Sequence, residues 1–144
     1  MTSDAARARL LAIDDNPDSA ELIVRVAKKC GYEARAMSDL RKLAEVVDTW
    51  PPHVITLDLC MPQEDGLGLL SLLKEKRFSG ALIIVSGQDA WLRKTAARLA
   101  SAQGINIVDD LSKPIDLKTL RDVLSKLHMA GTNENVPDEL ARIA

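Results

Sequence analysis

Five polar residues of this 144-residue chain stand where chemistry is easiest to build: Asp14, Asp15, Asp58, Ser86 and Lys113. Each comes after a short apolar run, namely Arg9–Ile13, Val54–Leu57, Ala81–Val85 and Ile105–Val108. If the chain brings those runs side by side, three carboxylates, a hydroxyl and an ammonium meet. At about 5 Å and an effective dielectric of ~20, each carboxylate pair costs roughly 3 kcal/mol. Such a cluster needs a cation or raised carboxyl pKa values. Hard oxygen ligands favour Mg²⁺, which keeps waters and can bridge to a phosphoryl oxygen. A carboxylate can also accept a phosphoryl group covalently. Catalysis is then positioning and charge neutralisation, with Lys113 as a second cation and Ser86 offering a hydrogen bond.

The rest of the chain supplies elements to position these groups. Asp18–Lys29 has Leu22, Ile23, Val26 and Ala27 at helical spacing, with Pro17 at an early helical position and Gly31 as a stop. Tyr32–Met37 alternates weakly, as an outer strand does. Ser38 is placed to cap a helix over Asp39–Asp48. Gly66–Lys76 carries Leu67, Leu70 and Leu73 on one side. Asp89–Ala102 carries Leu92, Ala96 and Leu99, and Leu117–Met129 carries Leu120, Val123, Leu124 and Leu127. Five strand–helix units in succession predict an α/β fold: a doubly wound, five-stranded parallel sheet with helices on both faces. In such sheets ligands bind outside the carboxyl ends of the strands, where all five polar residues fall.

Aromatic residues make up only 3% of the chain, so Leu, Ile, Val and Ala must build the core. A net charge of −2 excludes recognition of nucleic acid by bulk charge. Cys30 and Cys60 do not make a disulfide framework. The polar N-terminus has no apolar signal core, and Ala81–Val85 is too short to cross a membrane, so a cytoplasmic protein is expected.

The motifs together resemble the response-regulator receiver family. They are Asp14-Asp15, Leu57-Asp58-Leu59-Cys60-Met61-Pro62 with Gly66 beyond, Ser86-Gly87, and Lys113-Pro114. The resemblance covers roughly residues 8–130. It implies a flavodoxin-like strand order 2-1-3-4-5, with Asp58 as phosphoacceptor and Ser86 and Lys113 contacting the phosphoryl group. It implies Mg²⁺ held by Asp14, Asp15, Asp58 and the Cys60 backbone carbonyl, and a cis Lys113–Pro114 bond. It also implies a histidine kinase or phosphotransfer protein as donor, and an output domain or partner protein as receiver of the signal. The fourth or fifth helix is a candidate surface for a homodimer.

The pattern departs from the family at Asp110, three residues before the lysine, where many receivers carry an aromatic switch residue. Arg98–Val108 and Leu111–Leu117 further resemble receivers fused to EAL-type cyclic-di-GMP phosphodiesterases. That resemblance implies a missing output domain; the chain is expected to comprise a disordered N-terminus (1–8), a receiver domain (9–130) with no enzyme activity beyond its own phosphoryl chemistry, and a tail or linker to that output domain (131–144).

Taken singly, each residue has an ordinary role to weigh against this. Asp14 and Asp15 can be a helix-cap cluster, Ser86 a loop residue and Lys113 a solvated lysine. Cys60 is otherwise a spectator, His53 and His128 are structural, Trp50 packs beside Pro51–Pro52, and Trp91 is expected as half-buried core on a helix face that receivers use for partners. A nucleotide- or flavin-binding domain needs a Gly- or hydroxyl-rich cradle after the first strand, where Asp14-Asp15-Asn16-Pro17 stands instead. A haloacid-dehalogenase-type phosphatase needs an acid where Asn16 stands. A pseudo-receiver that only docks proteins is the remaining alternative.

Overall fold

Local signals start and stop the elements. The structure is a computed structural model that describes residues 8–58, 66–87 and 90–132. Strand β1 (Arg9–Ile13) leads to helix α1 (Pro17–Lys29). Asn16 caps α1, its side chain accepting from the Asp18 and Ser19 amides, with Pro17 opening the first turn. At the other end the Tyr32 N–H donates to the Ala27 carbonyl and the Gly31 N–H to that of Lys28, the Schellman closure. Gly31 takes φ +99° there, and a Cβ on it would meet His128 Nε2 at 2.8 Å.

After β2 (Glu33–Met37), a 3₁₀ turn (Leu40–Lys42) runs into α2 (Leu43–Thr49). The expected Ser38 cap is corrected: Asp39 holds this turn, accepting from the Arg41 amide through its carboxylate and from the Lys42 amide through its carbonyl. Then come β3 (Val54–Asp58), α3 (Gly66–Glu75), β4 (Ala81–Ser86), α4 (Ala90–Ala102), β5 (Asn106–Ser112) and α5 (Leu117–Thr132). The five strands are parallel, in the order β2-β1-β3-β4-β5, as expected.

Strand parity splits the core in two. Leu11, Ile13, Ile55, Leu57, Leu82 and Ile84 face Leu43, Leu70, Leu73, Ala96 and Ala100 of α2, α3 and α4. Leu10, Ala12, Val54, Ile83 and Val85 face Ile23, Ala27, Leu120 and Leu124 of α1 and α5. Both faces of β1, β3 and β4 are therefore dry, which is why these strands read as continuous apolar runs. His128 packs edge-on against Tyr32, with ring centroids 5.2 Å apart, and His53 Nδ1 accepts from the Arg9 amide; both are structural.

Three expectations about faces need correction. In α1 the buried stripe is Ala20, Ile23, Val24 and Ala27, so Leu22 falls one position off it and is exposed. In α4 the stripe is Ala96 and Ala100, and Leu99 is exposed for the same reason. Trp91 is 70% exposed rather than half-buried. It lies five residues before Ala96, about 140° around the helix. Strand β5 is also longer than Ile105–Val108: a register shift opposite Leu82/Ile83 absorbs Val108 as a bulge, and pairing continues to Ser112. Leu67 and Leu92 have side chains outside the described residues.

Tyr32 ties α1, β2 and α5 together, its buried hydroxyl donating to the Leu124 carbonyl at 2.7 Å. Burial pushes the phenol well above its ordinary value of 10.0. The fold thus favours the protonated phenol, so this contribution is complete below about pH 10 and is lost as pH rises above it. Tyr32→Phe is expected to lower unfolding free energy by about 1 kcal/mol in urea titrations at neutral pH, by removing a buried hydrogen bond. It should also flatten the stability loss above pH 10. An unchanged alkaline limb in the variant would show that Tyr32 is not its source.

Candidate functional site

The sheet order puts the carboxyl ends of β1 and β3 side by side, with Ile13 paired to Leu57 in register. Asp14 follows β1 directly, and its amide donates to the Met37 carbonyl, which fixes the chain as it leaves the sheet. Because Asn16 caps α1, neither Asp14 nor Asp15 has to. One Asp14 oxygen accepts from the Asn16 amide at 2.9 Å, holding the carboxylate over the sheet edge. The cap-cluster reading of the two aspartates therefore fails, and the residue that does the capping, Asn16, is one the motif reading passed over. Its signal was present as Asn-Pro-Asp at a helix start.

Asp58 is the last residue of β3, where the strand's apolar run ends on a carboxylate. Asp14 and Asp58 are 1% and 3% exposed, whereas Asp15 is exposed. Each of the three offers an oxygen, and these oxygens lie within 4.8 Å of one another. Lys113 reaches in from beyond β5, its Nζ 3.0 Å from Asp14 and 3.2 Å from Asp58. Its backbone is anchored by donation to the Ser86 carbonyl at 2.7 Å, and the Lys113–Pro114 bond is cis as expected.

Burial pushes the Asp14 carboxyl above its ordinary range, with the Asp58 charge adding to the shift. The Asn16 amide and Lys113 only partly offset it. The Lys113 ammonium is held above its ordinary value: burial alone would lower it, and Asp14 and Asp58 more than compensate. The site as built thus holds more negative charge than its own cation neutralises, and its donors are hard oxygens. That combination fits a small divalent cation.

Ser86 closes β4 beside Asp58 in the sheet, since Val85 is the register partner of Asp58. Its hydroxyl is fully buried and has no hydrogen-bond partner among the described residues. An orphaned hydroxyl at the mouth of a charged cluster costs roughly 1–3 kcal/mol unless something arrives to satisfy it. Thr56, two residues before Asp58, carries a second such hydroxyl. The sequence reading missed it, although a lone polar residue inside the run Val54–Leu57 marked it. The structure therefore brings together Asp14, Asp15, Asp58 and Lys113, with Ser86 at the neighbouring strand end. Cys60, whose backbone carbonyl is the fourth expected metal ligand, lies outside the described residues, as do Gln88 and Asp89. Asp110 is exposed on β5.

A cavity of about 420 Å³ adjoins the site, lined by Ser19, Leu22, Lys113, Pro114 and Ile115. The off-stripe Leu22 is one of its walls.

Comparison with known proteins gives a consistent result. A family model described as the response regulator receiver domain matches residues 10–125. Protein Rrf1 of Nitratidesulfovibrio vulgaris is 28% identical over 131 residues, which cover 91% of this chain and 91% of the relative. The probable transcriptional regulator ycf27 of Porphyridium aerugineum is 25% identical over 134 residues, covering 90% of this chain and 53% of the relative. Among solved structures, a response regulator from Colwellia psychrerythraea superposes with a TM-score of 0.76 at 26% identity, covering 85% of this chain and 98% of that one. The chain spans about half the length, or less, of several curated relatives it matches.

The raised Asp14 carboxyl carries a stability consequence. A group whose folded pKa is raised stabilises the fold at low pH, and that contribution is lost as pH climbs through the folded value. Asp14→Asn is therefore expected to be more stable than the parent at pH 7 in metal-free buffer. The gain should be on the order of 1 kcal/mol, since relief from burying the charge and from Asp58 is offset in part by the lost Lys113 contact. The advantage should shrink as pH falls towards 4. Paired urea titrations across that range check it, and an advantage that grew on acidification would contradict the account.

Proposed function

The chain belongs to the response regulator receiver family, and we propose that it takes a phosphoryl group on the Asp58 carboxylate with Mg²⁺ bound beside it. The observation that carries this reading is the pairing of a buried, cation-bridged Asp58 with an unpartnered Ser86 hydroxyl at the next strand end.

In the proposed step an Asp58 carboxylate oxygen attacks the donor phosphorus. An acyl-phosphate O–P bond forms as the P–N bond of a phosphohistidine donor breaks, and the imidazole leaves with a proton. Lys113 is placed to pair with a phosphoryl oxygen, and the Ser86 hydroxyl to donate to another. Asp14 and Asp15, with Asp58 and the Cys60 backbone carbonyl, would hold Mg²⁺. The ion's part is to neutralise charge that Lys113 alone does not cover.

The donor in this reading is a histidine kinase or phosphotransfer protein, and the site's product is a signal passed to an output domain or partner protein in the cytoplasm. Among the described residues no helix is long and apolar enough to cross a membrane. We place the receiver at residues 9–130, with 131–144 leading towards an output domain for which an EAL-type phosphodiesterase is one candidate. Asp110 is the register partner of Ile84 and is exposed, so an aromatic rotamer at that position does not relay the signal. We assign the relay instead to the end of β4, from Ser86 through Gly87 towards α4. The docking-only alternative lacks a reason for the buried carboxylate pair and its bridging lysine.

Incubation with Mg²⁺ and beryllofluoride should shift the amide resonances of Ser86 and Gly87, and Asp58→Asn should remove that response while leaving the spectrum of a folded protein. No Asp58-dependent change would put protein docking ahead. Mg²⁺ alone should bind weakly, and Asp15→Ala should lower its affinity at least tenfold, about 1.4 kcal/mol. An unchanged Mg²⁺ titration would remove Asp15 from the ligand set.

A further inference from the structure

At the opposite edge of the molecule from β5, the sheet ends on β2, which among the described residues pairs only with β1. Register fixes which backbone groups are left over. The Glu33 amide donates to the Ala8 carbonyl, and the Met37 carbonyl accepts from the Asp14 amide, so residues 33, 35 and 37 turn their amides and carbonyls towards β1. Backbone groups alternate along a strand, so those of Ala34 and Ala36 point outward. An open row of donors and acceptors flanked by small side chains is a template for another strand.

An open groove of about 430 Å³ straddles this edge, lined by Lys28, Tyr32, Glu33, Ala34, Arg35 and Trp50. Strand parity places Ala34 on the α1 side of the sheet and Arg35 on the α2 side, so the groove wraps from one face to the other. Its charges are unequal. Glu33 is engaged by Arg9 at 3.5 Å, while Lys28 is exposed and has no ion-pair partner among the described residues. The Arg35 guanidinium lies 4.4 Å from the centre of the Trp50 ring, with Arg9 at 5.6 Å. The stack holds Arg35 beside the edge, and because it engages the face of the guanidinium it does not use up the N–H groups, which can donate to a carboxylate.

We propose that this edge is a docking site for an extended acidic peptide of a partner protein, which adds as a strand beside β2 and sets its carboxylates against Lys28 and Arg35. A second copy of this chain is a poor occupant, because pairing two β2 edges would bring Lys28 and Arg35 of one against the same cations of the other. The charged groove sits at the amino half of β2, away from Asp58, and the proposal uses none of the groups assigned to phosphoryl chemistry, so it does not rest on the phosphoryl reading.

The test uses the whole chain, labelled with ¹⁵N, and two acetylated probe peptides of alternating Glu-Val or Lys-Val. The Glu-Val peptide should shift the resonances of Lys28 and Glu33–Met37 saturably. It should also slow hydrogen exchange of the Ala34 and Ala36 amides by roughly tenfold or more, which simple surface attraction would not do. The double change Lys28→Gln with Arg35→Gln should weaken binding at least tenfold. Ala36→Pro removes an outward N–H without touching the β1–β2 ladder, and it should abolish the protection of Ala34. Equal binding of the Lys-Val peptide, no binding of the Glu-Val peptide, or unchanged exchange at Ala34 and Ala36 under saturating Glu-Val peptide would overturn the proposal.

Discussion

Two buried carboxylates share one ammonium at the carboxyl edge of the sheet, and much of this fold exists to hold that arrangement. Lys113 bridges Asp14 and Asp58 at 3.0 and 3.2 Å. The three groups come from the carboxyl ends of β1, β3 and β5, so the contact forms only when the sheet order is complete. Neutralisation is partial, since Asp15 adds a third carboxylate within reach. A deficit of positive charge in a buried site is costly, which makes such a cluster a candidate for a bound cation.

The surrounding parts make sense as supports of that contact. Asn16 takes over the capping of α1 and releases Asp14 to face the site. The Lys113 amide, tied to the Ser86 carbonyl, sets where its side chain starts. The dry layers on both faces of β1, β3 and β4 fix the strand ends against lateral movement, so the oxygens stay within a few ångströms despite their repulsion. At the open edge of the same sheet, β2 contributes only the Met37 carbonyl that anchors Asp14, and the outward backbone groups of Ala34 and Ala36 are left for other uses.

Much of this was legible in the residues. The strands at Val54 and Ala81 announce themselves because burial on both faces leaves no polar alternation to confuse, and a strand end is where an α/β sheet places its chemistry. What was illegible has physical causes. Helix faces were misjudged where alanines form the stripe: Ala96 and Ala100 are buried and the larger Leu99 is not, so size misled. Trp91 was misplaced by the same assumption that bulk means burial. The length of β5 was hidden because an edge strand tolerates Asp109 and Asp110, and its bulge breaks the period. Asn16 and Thr56 were missed because neither carries charge, although one orients the site and the other buries a hydroxyl two residues before Asp58.

The account turns on Asp58 as the residue that becomes phosphorylated. Its most direct test is to incubate the chain with Mg²⁺ and a small phosphodonor such as acetyl phosphate, trap the acyl phosphate by borohydride reduction, and locate the modification by peptide mass spectrometry. A single reduced site at Asp58, lost when Mg²⁺ is chelated, is the predicted result. Modification at another residue, or none under conditions where a known receiver is labelled, would contradict it.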